Sequence, residues 1–221
     1  MPNREKPVPI DEEILERLHR GILLRTGAYR TNEHIVLRSG RHTSEYVAKA
    51  LVTTEPTFTE GLGDLIAAHF SRHEVDLVLT TGYGAGLLGH CVARAHPSRP
   101  RFIFATKEKT ANGRTEVTLQ SEYRAFFAEG GRVLIVEDIL TTGETAKELV
   151  KLVESMGGQV VGIGAIWRRS TRAKYKYPLF TVVTRDFPTY APESCPMCKQ
   201  GIPISAKAGG IGSEAEDEAE D

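Results

Sequence analysis

Residues 132–145, Arg-Val-Leu-Ile-Val-Glu-Asp-Ile-Leu-Thr-Thr-Gly-Glu-Thr, constrain this chain more than any other stretch. Val133, Leu134, Ile135 and Val136 form a short, continuous apolar run, the pattern of a strand buried on both faces of a parallel sheet. Glu137 and Asp138 stand at its C-terminal end. A short loop follows, and then a helix whose apolar positions Ala146, Leu149, Val150, Val153 and Met156 keep helical spacing until Gly157-Gly158 stops it.

Such a loop is an anion cradle. Free backbone N–H groups at a helix N-terminus, the positive end of the helix dipole and the hydroxyls of Thr141, Thr142 and Thr145 converge where a phosphate fits. The adjacent carboxylates suit vicinal hydroxyls, because an ionised carboxylate only accepts hydrogen bonds. A phosphate beside a diol is a ribose phosphate. The bland reading, a capped helix beside two solvated acids, requires strand, acid pair, Thr-rich loop and helix to coincide without purpose.

The remaining segments alternate strand and helix patterns, which implies an α/β fold: a central parallel sheet, helices on both faces, and ligand loops at the strands' C-terminal ends. Residues 11–25 read as a helix capped by Asp11 with an apolar stripe of Ile14, Leu15, Leu18 and Ile22. Residues 35–37 and 46–48 read as two short strands joined by a connection rich in cations and hydroxyls, which exposes Arg38, Arg41 and Lys49. A helix is expected over 56–73, where His69 and His73 read as surface histidines for want of a third metal ligand. Further strands are expected over 75–79, 101–105, 160–166 and 179–183.

Gly84, Gly86 and Gly89 spell G-x-G-x-x-G after the 75–79 strand, and Glu108 follows about twenty residues on, so a dinucleotide site has to be weighed. Glu108 lies past the expected strand end, however, and a nicotinamide leaves the second phosphate loop idle. Two strand-loop-helix anion sites suit a ligand with phosphates at both ends. Past residue 105, Asn112-Gly113 marks a hairpin turn at the tip of a long polar segment carrying Lys107, Lys109 and Arg114.

A net charge of −1 gives no electrostatic footprint for nucleic acid, and no segment reads as a membrane span. Residues 1–10 are Pro-rich and charged, read as a flexible segment without a signal-peptide centre, so the cytoplasm is the expected compartment. One domain is expected over 11–204, followed by an acidic, disordered tail over 205–221. Cys195 and Cys198 form a lone C-x-x-C. Zinc there needs two more ligands, with a partner subunit as one source, and zinc, a disulfide and neither all stay open; no metal ligand is assigned. Cys91, on an apolar helix face, reads as buried.

The run Glu137 through Thr145 resembles the phosphoribosyl pyrophosphate loop of the type I phosphoribosyltransferases: two acids, two apolar residues, Thr-Thr-Gly and a closing Ser or Thr. Leu37-Arg38-Ser39-Gly40-Arg41 resembles the segment by which the orotate phosphoribosyltransferases of that family build a small base-binding hood from the N-terminal region. Arg38 falls at the family's Lys, Arg169 at the Arg that meets the orotate carboxylate, Tyr83 at the aromatic position of the pyrophosphate loop, and Gly84 where a Lys is frequent. Residues 192–203 are similar to the tail of a bacterial subset of those enzymes.

The resemblance implies transfer of the phosphoribosyl group of phosphoribosyl pyrophosphate to orotate, giving orotidine 5′-monophosphate and pyrophosphate, with Mg2+. It implies Thr141, Thr142, Gly143, Glu144 and Thr145 on the ribose phosphate, Glu137 and Asp138 on the ribose, and Tyr83 and Gly84 near the pyrophosphate. Lys107 and Lys109 meet the leaving group, while Arg38, Thr141 and Arg169 meet orotate. It also implies a homodimer that shares its mobile loop across the interface. The alternatives are a phosphoribosyltransferase for a purine or another pyrimidine, and a regulator of the same fold that senses phosphoribosyl pyrophosphate.

Overall fold

The computed structural model describes residues 21, 25–37, 39–109, 115–127, 130–169 and 173–205. The expected segment 1–10, nearly all of the 11–25 helix, Arg38, Arg114 and residues 206–221 lie outside them.

A six-stranded sheet forms the centre, in the order β5-β4-β3-β6-β7-β8. Strands β3 (Leu77–Thr81), β4 (Arg101–Lys109), β6 (Arg132–Leu140), β7 (Gln159–Arg168) and β8 (Leu179–Thr184) run parallel, and β5 (Thr115–Thr118) returns antiparallel along β4. Helices α2 (Pro56–His69) and α3 (Tyr83–Ala95) cover one face, α4 (Glu144–Ser155) covers the other, and the short α1 (Lys49–Val52) leads into α2. The all-apolar reading of β6 explains this layering. Leu134 and Val136 bury against α2 and α3, while Val133 and Ile135 bury against Leu149 and Val153 of α4. Each side chain withdrawn from water in this way contributes about 1.5–3 kcal/mol.

Two features set where the sheet begins and how close α2 lies. At the edge opposite the β–α loops, the Arg132 guanidinium grips both oxygens of Asp76 at 2.8 Å and also meets Glu74. Asp76 therefore belongs to a turn, and β3 starts two residues later than the apolar run suggests. Gly162 and Gly164 on β7 leave no room for a β-carbon, which would stand 2.3 Å from Phe70 and 2.5 Å from Ile66, so α2 lies directly on the strand. His69, expected at the surface, is instead partly buried and stacks on Phe180 at 4.2 Å between centroids. Cys91 is likewise half-buried rather than buried, and that burial pushes its thiol pKa up.

A second sheet, the hairpin of β1 (Tyr29–Val36) and β2 (His42–Val47), is longer than the residues 35–37 and 46–48 expected for it. Leu37 and Arg41 close its connection through a 2.8 Å backbone bond, and Asn32 takes a positive φ of 59° where the register slips. The hairpin docks on the main sheet through an aromatic triad, with Tyr29, Trp167 and Phe187 ring centroids 5.8–5.9 Å apart. Arg185 adds an ion pair with Glu45 at 3.2 Å. Beyond β8 the chain runs along the hairpin, bonding reciprocally at Tyr190 and His42, and forms the short helix α5 (Pro196–Lys199).

Candidate active site

Both loop-helix junctions of interest open at the same edge of the sheet. After β6, Gly143 adopts a left-handed φ of 74° and N-caps α4, a conformation that suits glycine because it has no β-carbon. Thr141 and Thr142 stay exposed, and Thr142 Oγ1 accepts from the Glu144 N–H at 3.5 Å. The N–H groups of the first turn thus point outward beside three hydroxyls, an arrangement that binds an anion.

The acid pair differs from its expected place. β6 continues to Leu140, so Glu137 and Asp138 lie within the strand, 5 % and 7 % exposed, rather than at its end. Pairing with β7 carries the strand on, Glu137 opposite Ala165 and Leu140 opposite Arg168. Strand side chains alternate, so the two carboxylates leave opposite faces. Asp138 turns toward α3, and its Oδ1 accepts from the Ile139 N–H at 2.7 Å. Glu137 turns toward Tyr175, where its charge and, more strongly, burial raise the phenol pKa.

After β3, Gly82 (φ 84°) turns the chain into α3 and Tyr83 projects into solvent, 81 % exposed. Gly84 lies against Asp138: a β-carbon on it would stand 2.7 Å from Asp138 Oδ2. The two anion loops are therefore neighbours, joined through Asp138. Glycine here gives the Asp138 carboxylate and the first α3 N–H groups a common opening that any side chain would fill.

Lys107 on β4 reaches the first turn of α4, with Nζ 3.5 Å from Thr145 Oγ1 of its own chain. The expected hairpin forms, Thr106 to Lys109 pairing with Thr118 to Thr115, while its tip at 110–114 lies outside the described residues. Lys109 ends β4. Arg169 follows β7, its N–H bonded to the Leu140 carbonyl at 2.8 Å and its guanidinium 4.8 Å from the Phe187 ring centroid. Burial pulls its pKa below the usual arginine value, opposed in part by Tyr46, and no carboxylate meets it among the described residues. A partly desolvated guanidinium of this kind favours an anion.

These positions bring together Glu137, Asp138, Thr141, Thr142, Gly143, Glu144, Thr145, Tyr83, Gly84 and Lys107 around one edge, with Arg169 beside the hairpin. Arg38 lies outside the described residues, so the second cation expected against the base is not placed. Tyr175, which sequence reasoning did not single out, packs its hydroxyl on Gly143 and stands over Arg168. Nothing local in its neighbourhood marks it; it lies on the connection between β7 and β8.

A model of the phosphoribosyl transferase domain matches residues 53–190. The chain is 34 % identical over 194 residues to an orotate phosphoribosyltransferase of Thermoanaerobacter sp. (strain X514), spanning 87 % of this chain and 94 % of that one. It is 35 % identical over 184 residues to the orotate phosphoribosyltransferase of Thermotoga maritima, spanning 82 % and 92 %. Among solved structures, orotate phosphoribosyltransferase from Mycobacterium tuberculosis H37Rv superposes with a TM-score of 0.59 at 22 % identity, covering 76 % of this chain and 95 % of that chain. Adenine phosphoribosyltransferase from Rhodothermus marinus superposes almost as well, at 0.58 and 20 % identity over 79 % and 99 %. The backbone is thus shared by enzymes named for different bases, whereas the Thermoanaerobacter and Thermotoga relatives are both named for orotate. The chain belongs to the phosphoribosyltransferase family, with the orotate phosphoribosyltransferases.

Proposed function

We infer that this protein is an orotate phosphoribosyltransferase, transferring the phosphoribosyl group of phosphoribosyl pyrophosphate to orotate in the synthesis of pyrimidine nucleotides. The observation that carries the reading is the meeting of two anion loops through Asp138 and Gly84, with Lys107 reaching Thr145 at the second of them.

In this reading the 5′-phosphate rests on the N-terminus of α4, held by Thr141, Thr142, Gly143, Glu144 and Thr145. Glu137 and Asp138 receive the ribose hydroxyls from the two sides of β6. Their burial matters because the ribose becomes cationic as pyrophosphate departs, and a fixed carboxylate in a poorly solvated place stabilises that charge more than one in water. Pyrophosphate lies on the amides around Tyr83 and Gly84, where Lys107 and Lys109 neutralise it. Arg169, with Arg38 and Thr141, takes the carboxylate and carbonyl oxygens of orotate. The reaction is a displacement at the anomeric carbon, with no covalent intermediate on the protein.

Magnesium fits this donor set. The ion takes hard oxygen ligands and is held by one or two carboxylates together with substrate phosphates. Asp138, with an oxygen facing the loop opening, is the residue that would hold it together with substrate oxygens, and the ion would offset pyrophosphate charge. We propose a cytoplasmic homodimer in which the loop joining β4 and β5 is shared across the interface.

Orotate absorbance followed with phosphoribosyl pyrophosphate and magnesium tests the assignment. Loss of the orotate signal with release of pyrophosphate is the expected result. An unchanged orotate signal while adenine or another base is consumed would overturn it.

A further inference from the structure

We propose that His34, His42, Cys195 and Cys198 form a structural zinc site that staples the C-terminal segment to the β1–β2 hairpin. The two ligands that the lone C-x-x-C lacks come from the same chain. One nitrogen from each histidine and both sulfurs lie within 4.8 Å of one another. His34 Nε2 stands 3.7 Å from Cys195 Sγ and 3.5 Å from Cys198 Sγ, and Cys198 Sγ is 3.3 Å from His42 Nδ1. A tetrahedral zinc with Zn–N of about 2.0–2.1 Å and Zn–S of about 2.3 Å spaces its N and S ligands about 3.6 Å apart. The three nitrogen–sulfur distances bracket that value. The pair of ring nitrogens, His34 Nε2 and His42 Nδ1 at 2.7 Å, has to open by about 0.6 Å to reach tetrahedral spacing.

The surroundings fit a closed metal site. His34, His42 and Cys195 are 2 %, 7 % and 0 % exposed, and Cys198 faces the solvent as an entry path. His34 Nδ1 lies 2.6 Å from the Ile202 carbonyl oxygen, a contact satisfied only by a protonated Nδ1. That bond leaves the Nε2 lone pair aimed into the cluster and supplies the supporting hydrogen bond typical of a metal-bound histidine. Backbone bonds hold both ends of the frame: Ser205 N to the His34 carbonyl at 2.8 Å, and the His42–Tyr190 pair at 2.8 Å each way. Two thiolates with two imidazoles in a tetrahedron select zinc over magnesium or calcium, which take oxygen ligands. The histidines also distinguish the cluster from a simple dithiol, which needs none.

The staple fixes the root of the 37–41 connection, which runs between the two histidine ligands.

The test is metal analysis of the full chain purified without chelator, followed by apo-protein reloaded with Zn2+ or Co2+ alone. The expected result is about one zinc per chain, thiols protected from alkylation when loaded, and the visible bands of a tetrahedral thiolate–imidazole site with cobalt. Chelation should lower the melting temperature, and Cys198→Ser or His42→Ala should lose the metal. Should those variants fail to fold, the cobalt spectrum of the unsubstituted chain decides alone. Substoichiometric metal after reloading, an octahedral cobalt spectrum, or a Cys195–Cys198 disulfide in freshly purified protein would overturn the proposal, whether or not orotate turns over.

Discussion

Gly143→Ala tests how the phosphate loop is built. Two costs follow from the structure. The backbone at φ 74° is left-handed, which costs an L-residue about 1–2 kcal/mol. A new methyl would also stand 2.3 Å from the Tyr175 hydroxyl oxygen, 2.9 Å from Cζ and 3.0 Å from Cε1. Forcing a methyl into a filled site costs about 1–3 kcal/mol, and Tyr175 has little freedom to retreat, with its hydroxyl buried and no hydrogen-bond partner for it among the described residues. The sum, about 2–5 kcal/mol, should appear in urea unfolding, and as about 2–4 °C of melting temperature per kcal/mol in a chain of this size.

A double-mutant cycle separates the two costs. Tyr175→Ala removes the clash and leaves the dihedral strain, so the cost of Gly143→Ala should fall by about 1–3 kcal/mol in that background. Kinetically, the KM for phosphoribosyl pyrophosphate should rise while that for orotate holds. A cost below about 0.5 kcal/mol, or equal costs in the two backgrounds, would refute the reasoning.

Four further outcomes are expected. Arg169→Gln should raise the KM for orotate roughly ten- to hundredfold, the worth of a charge-assisted hydrogen bond, with little change for phosphoribosyl pyrophosphate; steady-state kinetics with each substrate varied decide it. The Arg132 hydrogen bonds hold the Asp76 carboxyl at about 2, below the 3.8 of a free carboxyl. This stabilisation is therefore complete above pH of about 4 and is lost as pH falls through about 2, so Asp76→Asn should flatten the acid limb of a stability–pH curve. Gly164→Val should destabilise by about 1–3 kcal/mol by driving a side chain into Ile66, measured by denaturant unfolding. Gly84→Ala should impair turnover more than stability, because its methyl meets the Asp138 carboxylate rather than the core; equal losses in kcat/KM and folding would count against the shared opening.

What was legible in the sequence, and what was not, follows from the range of the interactions involved. The β6 strand, the Thr-Thr-Gly turn and α4 are local: a continuous apolar run, one left-handed glycine and a 3.6-residue stripe, each set by neighbours a few positions away. The acid pair was legible as chemistry but not as geometry. An apolar run suggests a strand that stops at its first charge, whereas β7 continues to pair with β6 through Leu140 and so buries Glu137 and Asp138 on opposite faces.

The histidines were hidden for a different reason. Val36 faces His42 across the hairpin, so His34, two residues earlier on the same face, is the diagonal neighbour of His42. Eight residues of separation match no familiar metal-ligand spacing, and the cysteines lie more than 150 residues away along the chain. The hairpin register brings the imidazoles together, and the chain returning past Tyr190 brings the sulfurs to them. A metal ion bridging such distant segments gains most from chain closure, since the entropy of closing a loop rises only logarithmically with its length while the ligand bonds stay the same. Zinc removal should therefore loosen the hairpin and the 191–205 segment together and leave the parallel sheet protected, a pattern that amide hydrogen exchange resolves segment by segment.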